Sequence, residues 1–200
     1  MKTAITILFL VIPVAVIYSQ TITDTLSENL PKGFQPGYVI LADSTRLQGY
    51  IRNNIRHWAT VQTLQHDGRK TTWTALQLRE AVIQANRYVV VEGEWYFVQE
   101  SGARLNLLQK ASAVSEGIQF NGTEPVGSTG SRGGYLDQFL QNAAQPDSPL
   151  IWITAANMEA MVRNLMAECE VLKQSLAGKK VSLKDLRELV RAYNECLRKY

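Results

Sequence analysis

The stretch Ala59-Thr60-Val61-Gln62-Thr63-Leu64-Gln65-His66-Asp67-Gly68-Arg69-Lys70-Thr71-Thr72-Trp73 decides the fold. Two runs rich in β-branched and aromatic residues flank a polar turn, and Asp67-Gly68 supplies the positive φ that a tight hairpin demands. The same pattern recurs on both sides. Tyr38 to Leu41, the turn Asp43-Ser44, and Leu47 to Ile51 read as an earlier hairpin. Arg87 to Val91, Glu92-Gly93, and Glu94 to Gln99 read as a later one, followed by Ser101-Gly102 and a strand at Arg104 to Leu108. Ala81-Val82-Ile83 adds a short strand between them. Turn signals at this spacing predict an antiparallel β domain over residues 37–120, packed as a small sandwich or curled as a partial barrel.

Upstream of this domain, residues 20–36 are polar with Pro31, Gly33 and Pro36 and read as an extended lead-in. Before it stands Lys2, then the almost wholly apolar run Ala4 to Ile17, 14 residues long and interrupted by Pro13. A membrane-spanning helix needs about 20 apolar residues, so the run suits the core of a signal peptide instead. Residues 1–19 are expected to be cleaved near Ser19-Gln20, delivering the chain to a secreted or periplasmic location with no transmembrane span left. The chain carries two cysteines, Cys169 and Cys196. In an oxidising compartment such a pair reads as a disulfide, the alternative being two buried thiols on a helix face.

Downstream, residues 121–134 hold five Gly among fourteen residues and read as a Gly-rich linker. Their Gly127, Gly130 and Gly133 miss both the Walker and the dinucleotide-binding spacing, so no nucleotide cofactor is implied. Residues 135–200 form the helical hairpin region. Met158, Val162, Leu165, Cys169, Leu172 and Leu176 recur at spacings of four and three, as do Leu183, Leu186, Val190, Tyr193 and Leu197. Gly178 stands where a C-terminal cap belongs, and Ser182 with Asp185 resembles a capping box. Counted from the loop centre near Lys180, the cysteines sit 11 and 16 residues away, so a bridge between antiparallel helices needs a stagger or bend of about 7 Å. The fold class is therefore α+β: an antiparallel sheet followed by a C-terminal helical hairpin.

Charge narrows the function. Lys plus Arg number 21 against 18 Asp plus Glu, a net of +3, with 46% apolar residues. This is the composition of a folded domain, without the basic stripe of a nucleic-acid partner. The surplus lies between Glu159 and Tyr200, where nine cations face six acids. The simplest reading is a solvated helix face with local pairs such as Lys184–Glu188 and Arg191–Glu195. Catalytic sets are weak. His57 and His66 with Asp67 form the one possible hydrolase or metal cluster, without any HExxH-type spacing, and no GxSxG elbow occurs. Glu92 and Glu94 flank a hairpin turn and do not fix a cleft between two carboxylates. No cofactor is expected. Aromatic density is the feature with binding potential, and Trp58, Trp73, Trp95 and Tyr96 are the candidate binding residues. The competing expectation is that most of these rings fill the core.

Pro36-Gly37-Tyr38-Val39-Ile40-Leu41-Ala42-Asp43-Ser44-Thr45-Arg46-Leu47-Gln48-Gly49-Tyr50-Ile51 resembles the opening of a group of secreted Bacteroidetes proteins, and Thr71 to Leu78 looks like their next strand and loop. The closing Lys184 to Cys196, ending Tyr193-Asn194-Glu195-Cys196, is similar to their terminal helix. The chain departs from them at Asp43-Ser44, where they turn on Gly-Asp, and at Asp147-Ser148-Pro149, where they carry Asp-Cys-Pro. The resemblance implies export and layout but no activity. Together these readings predict a non-catalytic module of the cell envelope that binds another envelope protein. A small-ligand or glycan binder using the aromatic residues is the alternative, and a hydrolase comes third.

Overall fold

The computed structural model describes residues 30–65, 67–113, 120–121, 124–125, 133–165, 167 and 169–196. The expected signal peptide, most of the lead-in and most of the Gly-rich linker lie outside them.

The first hairpin pairs β1 (Phe34–Leu41) with β2 (Arg46–Asn54). A single helical turn, α1 (Ile55–Trp58), leads into the second hairpin, β3 (Thr60–Leu64) and β4 (Lys70–Thr74). Its turn is built as read: Gly68 has φ +82° and donates its N–H to the Gln65 carbonyl at 3.0 Å. A 3-10 turn follows, then β5 (Leu78–Ile83), β6 (Asn86–Val91), β7 (Glu94–Glu100) and β8 (Leu105–Lys110). β9 (Phe120–Asn121) and β10 (Glu124–Pro125) form a separate small pair. β11 (Gln138–Asn142) and β12 (Ile151–Ile153) complete the main sheet. Its ten strands run β12-β11-β8-β7-β6-β5-β1-β2-β3-β4, every neighbour antiparallel.

Three boundaries differ from the sequence reading. β1 begins at Phe34 and runs through Pro36, whose carbonyl accepts the Gln84 N–H at 2.8 Å. β11 and β12 occupy residues assigned to the helical region. They are short, and β11 owes its conformation to the ladder of β8, a non-local template that periodicity does not register. The first helical stripe is two helices, α2 (Met158–Leu165) and α3 (Glu170–Leu176), with Cys169 extended between them at φ −105°, ψ 99°. That interruption supplies the bend the bridge requires. Cys169 and Cys196 are disulfide-bonded with Cα atoms 6.3 Å apart, tying α3 to the end of α4 (Leu186–Cys196).

The register places Val39, Ile51, Val61, Ala81 and Trp95 on one face of the sheet. There the N-terminal strands curl over their own core around α1, whose Ile55 is 1% exposed. On the C-terminal half of that face, Leu107 and Leu140 are covered by the helices through Met158, Val162, Leu172, Leu186 and Val190. Each such buried side chain contributes about 2 kcal/mol of transfer free energy. The opposite face holds a smaller cluster in which Tyr96 and Phe139 meet edge to face at 5.3 Å. Among the described residues, no helix is long and apolar enough to cross a membrane.

The helical caps follow the sequence. Gly178 has φ +73° after α3, and Asp185 accepts both the N–H (2.9 Å) and the hydroxyl (2.6 Å) of Ser182 before α4. Local pairs form on α2 and α3, Arg163 with Glu159 (3.1 Å) and Lys173 with Glu170 (3.7 Å), whereas on α4 the arginines turn to a distant acid. Arg187 (3.2 Å) and Arg191 (2.8 Å) both reach Glu100 on β7 and hold its carboxyl below the usual range. Asn194 makes the second tie. Its Oδ1 accepts the N–H groups of Arg104 (3.1 Å) and Leu105 (3.0 Å), and its Nδ2 donates to the Leu105 carbonyl (2.9 Å).

Candidate binding site

The four candidate residues part company in the structure. Trp95 is fully buried, and its indole N–H donates to the Ala59 carbonyl at 2.8 Å. Tyr96 is 5% exposed on the other face, where burial and the neighbouring Glu94 and Glu92 push its phenol up to about 12. Neither is a platform, because at these two positions β7 is covered on both faces, at Trp95 by the core around α1 and at Tyr96 by Phe139 and Leu108. Trp73 is half-buried and donates to the Thr63 hydroxyl at 2.9 Å. Trp58, at the end of α1, is 74% exposed.

What Trp95 does instead is hold α1. Ala59 ends that turn in the left-handed region (φ 49°), donates its N–H to the Ile55 carbonyl, and gives its own carbonyl to Trp95. The N–H of Ala113 donates to the Arg56 carbonyl at 2.9 Å, and Ala111 donates to the Trp95 carbonyl at 2.9 Å. The start of α1 is fixed by Asn53, whose Oδ1 accepts the Ile55 N–H at 3.0 Å. Pinned in this way, α1 presents Arg56 and His57 to a cleft of about 490 Å³. This volume lies within the range of ordinary binding pockets.

The opposite wall comes from the hairpin β6–β7. Its two-residue turn Glu92-Gly93 sets Tyr88 directly across from Phe97, and the rings meet at 5.5 Å with a 50° tilt. Asn53 Nδ2 donates to the Tyr88 hydroxyl at 3.0 Å, while burial raises the pKa of that phenol. The third side is the segment before β11. Tyr135 lies under the Arg56 guanidinium, 4.8 Å from ring centroid to Cζ. Leu136 adopts φ 72°, an uncommon conformation for a γ-branched residue, and its side chain stands 53% exposed. Its backbone is held on both sides: the N–H donates to the Lys110 carbonyl at 3.0 Å, and the carbonyl accepts Gln109 Nε2 at 3.2 Å. Leu136 also lines a neighbouring hollow of about 320 Å³ with Leu183 and Lys184.

The hydrolase cluster does not assemble among the described residues. His57 lines the cleft at the start of β3, whereas Asp67 follows the end of β3, some five residues or about 16 Å of strand away. The Asp67 carboxylate already accepts the Arg69 N–H at 3.0 Å, and His66 lies outside the described residues. Glu94 is buried beside Lys110 at 3.6 Å and faces no open cleft with Glu92. No group of three His, Cys, Asp or Glu side chains among the described residues is arranged to hold a metal. A second groove of about 570 Å³ lies on the opposite face over Val89, Val91, Val98 and Leu108. Its cations are already engaged, Arg87 by Glu80 and Arg79 by the Ser44 hydroxyl.

Tyr88 and Phe97 belong to the aromatic density of the β region but are not among the four candidates, and Tyr135, Arg56 and Leu136 are not read as site residues from the sequence. For the first two the signal was present: a two-residue turn at Glu92-Gly93 dictates the pairing 91–94, 90–95, 89–96 and 88–97, so two aromatic residues oppose each other by counting alone. Compared with known proteins, the chain matches no family model, no curated protein and no solved structure.

Proposed function

We propose that this protein is an exported, non-catalytic interaction module of the cell envelope that seats part of another protein in the cleft between α1, the β6–β7 hairpin and Tyr135-Leu136. The observation that carries the reading is which groups at the cleft are open and which are engaged. Arg56, His57 and Leu136 are exposed and Tyr88, Phe97 and Tyr135 are half-buried, while Trp58, which follows His57 at the end of α1 outside the cleft lining, is 74% exposed. Tyr, Trp and Arg are the side chains that dominate binding energy at protein interfaces. Exposed Trp58 and the stacked rings also suit a sugar, the second reading. Sugar recognition needs free amides beside the rings, and of the amides lining the cleft Asn53 is committed at both ends and Gln109 through its Nε2, which leaves Asn86 to serve a sugar. Export is supported by the apolar leader at 4–17, the resemblance at both ends of the chain, and the disulfide.

The test is a photo-crosslinking residue at Trp58 in the protein in its native envelope, with the same residue at Val171 as control. Val171 lies on α3 and is 70% exposed. A discrete protein adduct from position 58, absent from 171, is the expected result. Adducts identical at both positions, or none from 58, would overturn the proposal.

A further inference from the structure

We infer that the segment this cleft receives is acidic, an inference that rests on the protein-binding reading above. The formal charges on the rim decide it. Arg56 and His57 are both exposed on α1, and at the far side of Leu136 the adjoining hollow ends at Lys184. Arg87, Arg163, Arg187 and Arg191 each hold a carboxylate, but no described carboxylate pairs with Arg56 or Lys184. Among the described residues lining the two hollows the one acid, Asp137, accepts the Gly134 N–H at its Oδ2 at 2.7 Å. A ridge of Tyr135 and Leu136 therefore lies between two cations that no described carboxylate meets at ion-pair distance, the acid next to Lys184, Asp185, having its Oδ2 on the Ser182 N–H and hydroxyl. A partner that covered it with neutral side chains would strip water from Arg56 and offer nothing in return. A partner with Asp or Glu on either side of an apolar residue satisfies both cations and lays its apolar side chain against Leu136. The guanidinium is already oriented by the Tyr135 ring, so little of its rotamer freedom remains to be lost on pairing.

The experiment uses the disulfide-bonded mature chain and capped Gly-Ser peptides bearing a central Leu-Trp pair flanked by Glu, by Gln or by Lys. Binding is read by fluorescence anisotropy and placed by amide shifts of Tyr88, Phe97 and Tyr135. The Glu peptide is expected to bind tightest, to weaken with added salt, and to shift those amides. Arg56→Gln should weaken it about two- to fivefold, leave the Gln peptide unchanged, and be partly rescued by Arg56→Lys. Lys184→Gln, on an exposed loop, should act in the same direction and guards against misfolding of the first variant. Glu and Gln peptides that shift the cleft with equal affinity would overturn the acidic preference while the cleft reading stood. No shift from any peptide would overturn both.

Discussion

The tie between α4 and β8 is the joint on which the helical half depends, and it can be tested by a double-mutant cycle. Asn194 is 5% exposed and satisfies two N–H groups and one carbonyl of the Arg104–Leu105 backbone. Asn194→Ala leaves all three without a partner at a buried site, at about 1 kcal/mol each and so about 3 kcal/mol in total. Gly102 lies against the same amide: a Cβ placed on it would stand 2.0 Å from Asn194 Cγ. Gly102→Ala must therefore expel the amide and should cost about 2–3 kcal/mol in the native background. Once Asn194 is already Ala, no Cγ remains to collide with, and the same change should cost less than about 1 kcal/mol. The assay is urea unfolding under non-reducing conditions, followed by the fluorescence of buried Trp95, with unchanged m-values as the control for two-state behaviour. If Gly102→Ala costs the same in both backgrounds, or Asn194→Ala costs under about 1 kcal/mol, the joint is not what holds α4 to the sheet.

Three further expectations follow from the same contacts. Converting Cys169 and Cys196 together to Ser opens a 27-residue loop and should cost about 3 kcal/mol, with hydrogen exchange rising in α3 while the protection of β1–β5 stays as it was. Glu100, with its pKa depressed by Arg191 and Arg187, contributes stability that is present above its unfolded-state value of 4.5 and lost as pH falls through the lower folded-state value. Thermal melts at a series of pH values should accordingly show a shallower acid decline for Glu100→Gln than for the native chain, the two curves differing most near neutrality. Trp95→Phe should cost about 2–3 kcal/mol through its cavity and the orphaned Ala59 carbonyl, whereas Trp58→Ala should change stability by less than about 0.5 kcal/mol. Equal losses in those two variants would contradict the burial assignment.

The hairpins were legible because their information is local. A turn residue with positive φ and a two-residue period on either side are enough to place β3–β4 and β6–β7. The helical stripes were legible for the same reason: Met158, Val162, Cys169, Leu172 and Leu176 of the first lie in the core, as do Leu186, Val190 and Tyr193 of the second, whose Leu183 instead falls before α4 and is 42% exposed. What was not legible is whatever depends on a distant partner. The five residues of β11 alternate too weakly to stand out, and they are a strand because β8 offers its edge. The break at Cys169 carries no Gly or Pro, so the stripe reads straight through it. Arg191 sits four residues before Glu195 and has every local reason to pair with it, yet it reaches Glu100, 91 residues away, in a geometry the fold alone provides. The closing Tyr193-Asn194-Glu195-Cys196 now has a structural account. Tyr193 is core, Asn194 clamps β8 and Cys196 closes the disulfide, three jobs for one turn of helix.

The aromatic residues explain why the site itself was only half readable. Alternation assigns Trp95 and Phe97 to one face and Tyr96 to the other, and the register confirms that parity. Parity does not say which face is covered, or where along the strand the cover ends. On β7 the cover stops between two neighbours on the same face: Trp95 lies beneath α1 and is sealed, while Phe97, two residues further along, emerges beside Tyr88 at the cleft. The largest ring thus became the post on which α1 is fastened, and the binding surface passed to residues at the margin of the core. A Trp in a strand is worth more as an anchor for a short, otherwise unstable helical turn than as an exposed plate. Four residues make no stable helix alone, and Arg56 and His57 would point nowhere without the Ala59 carbonyl bound to that indole.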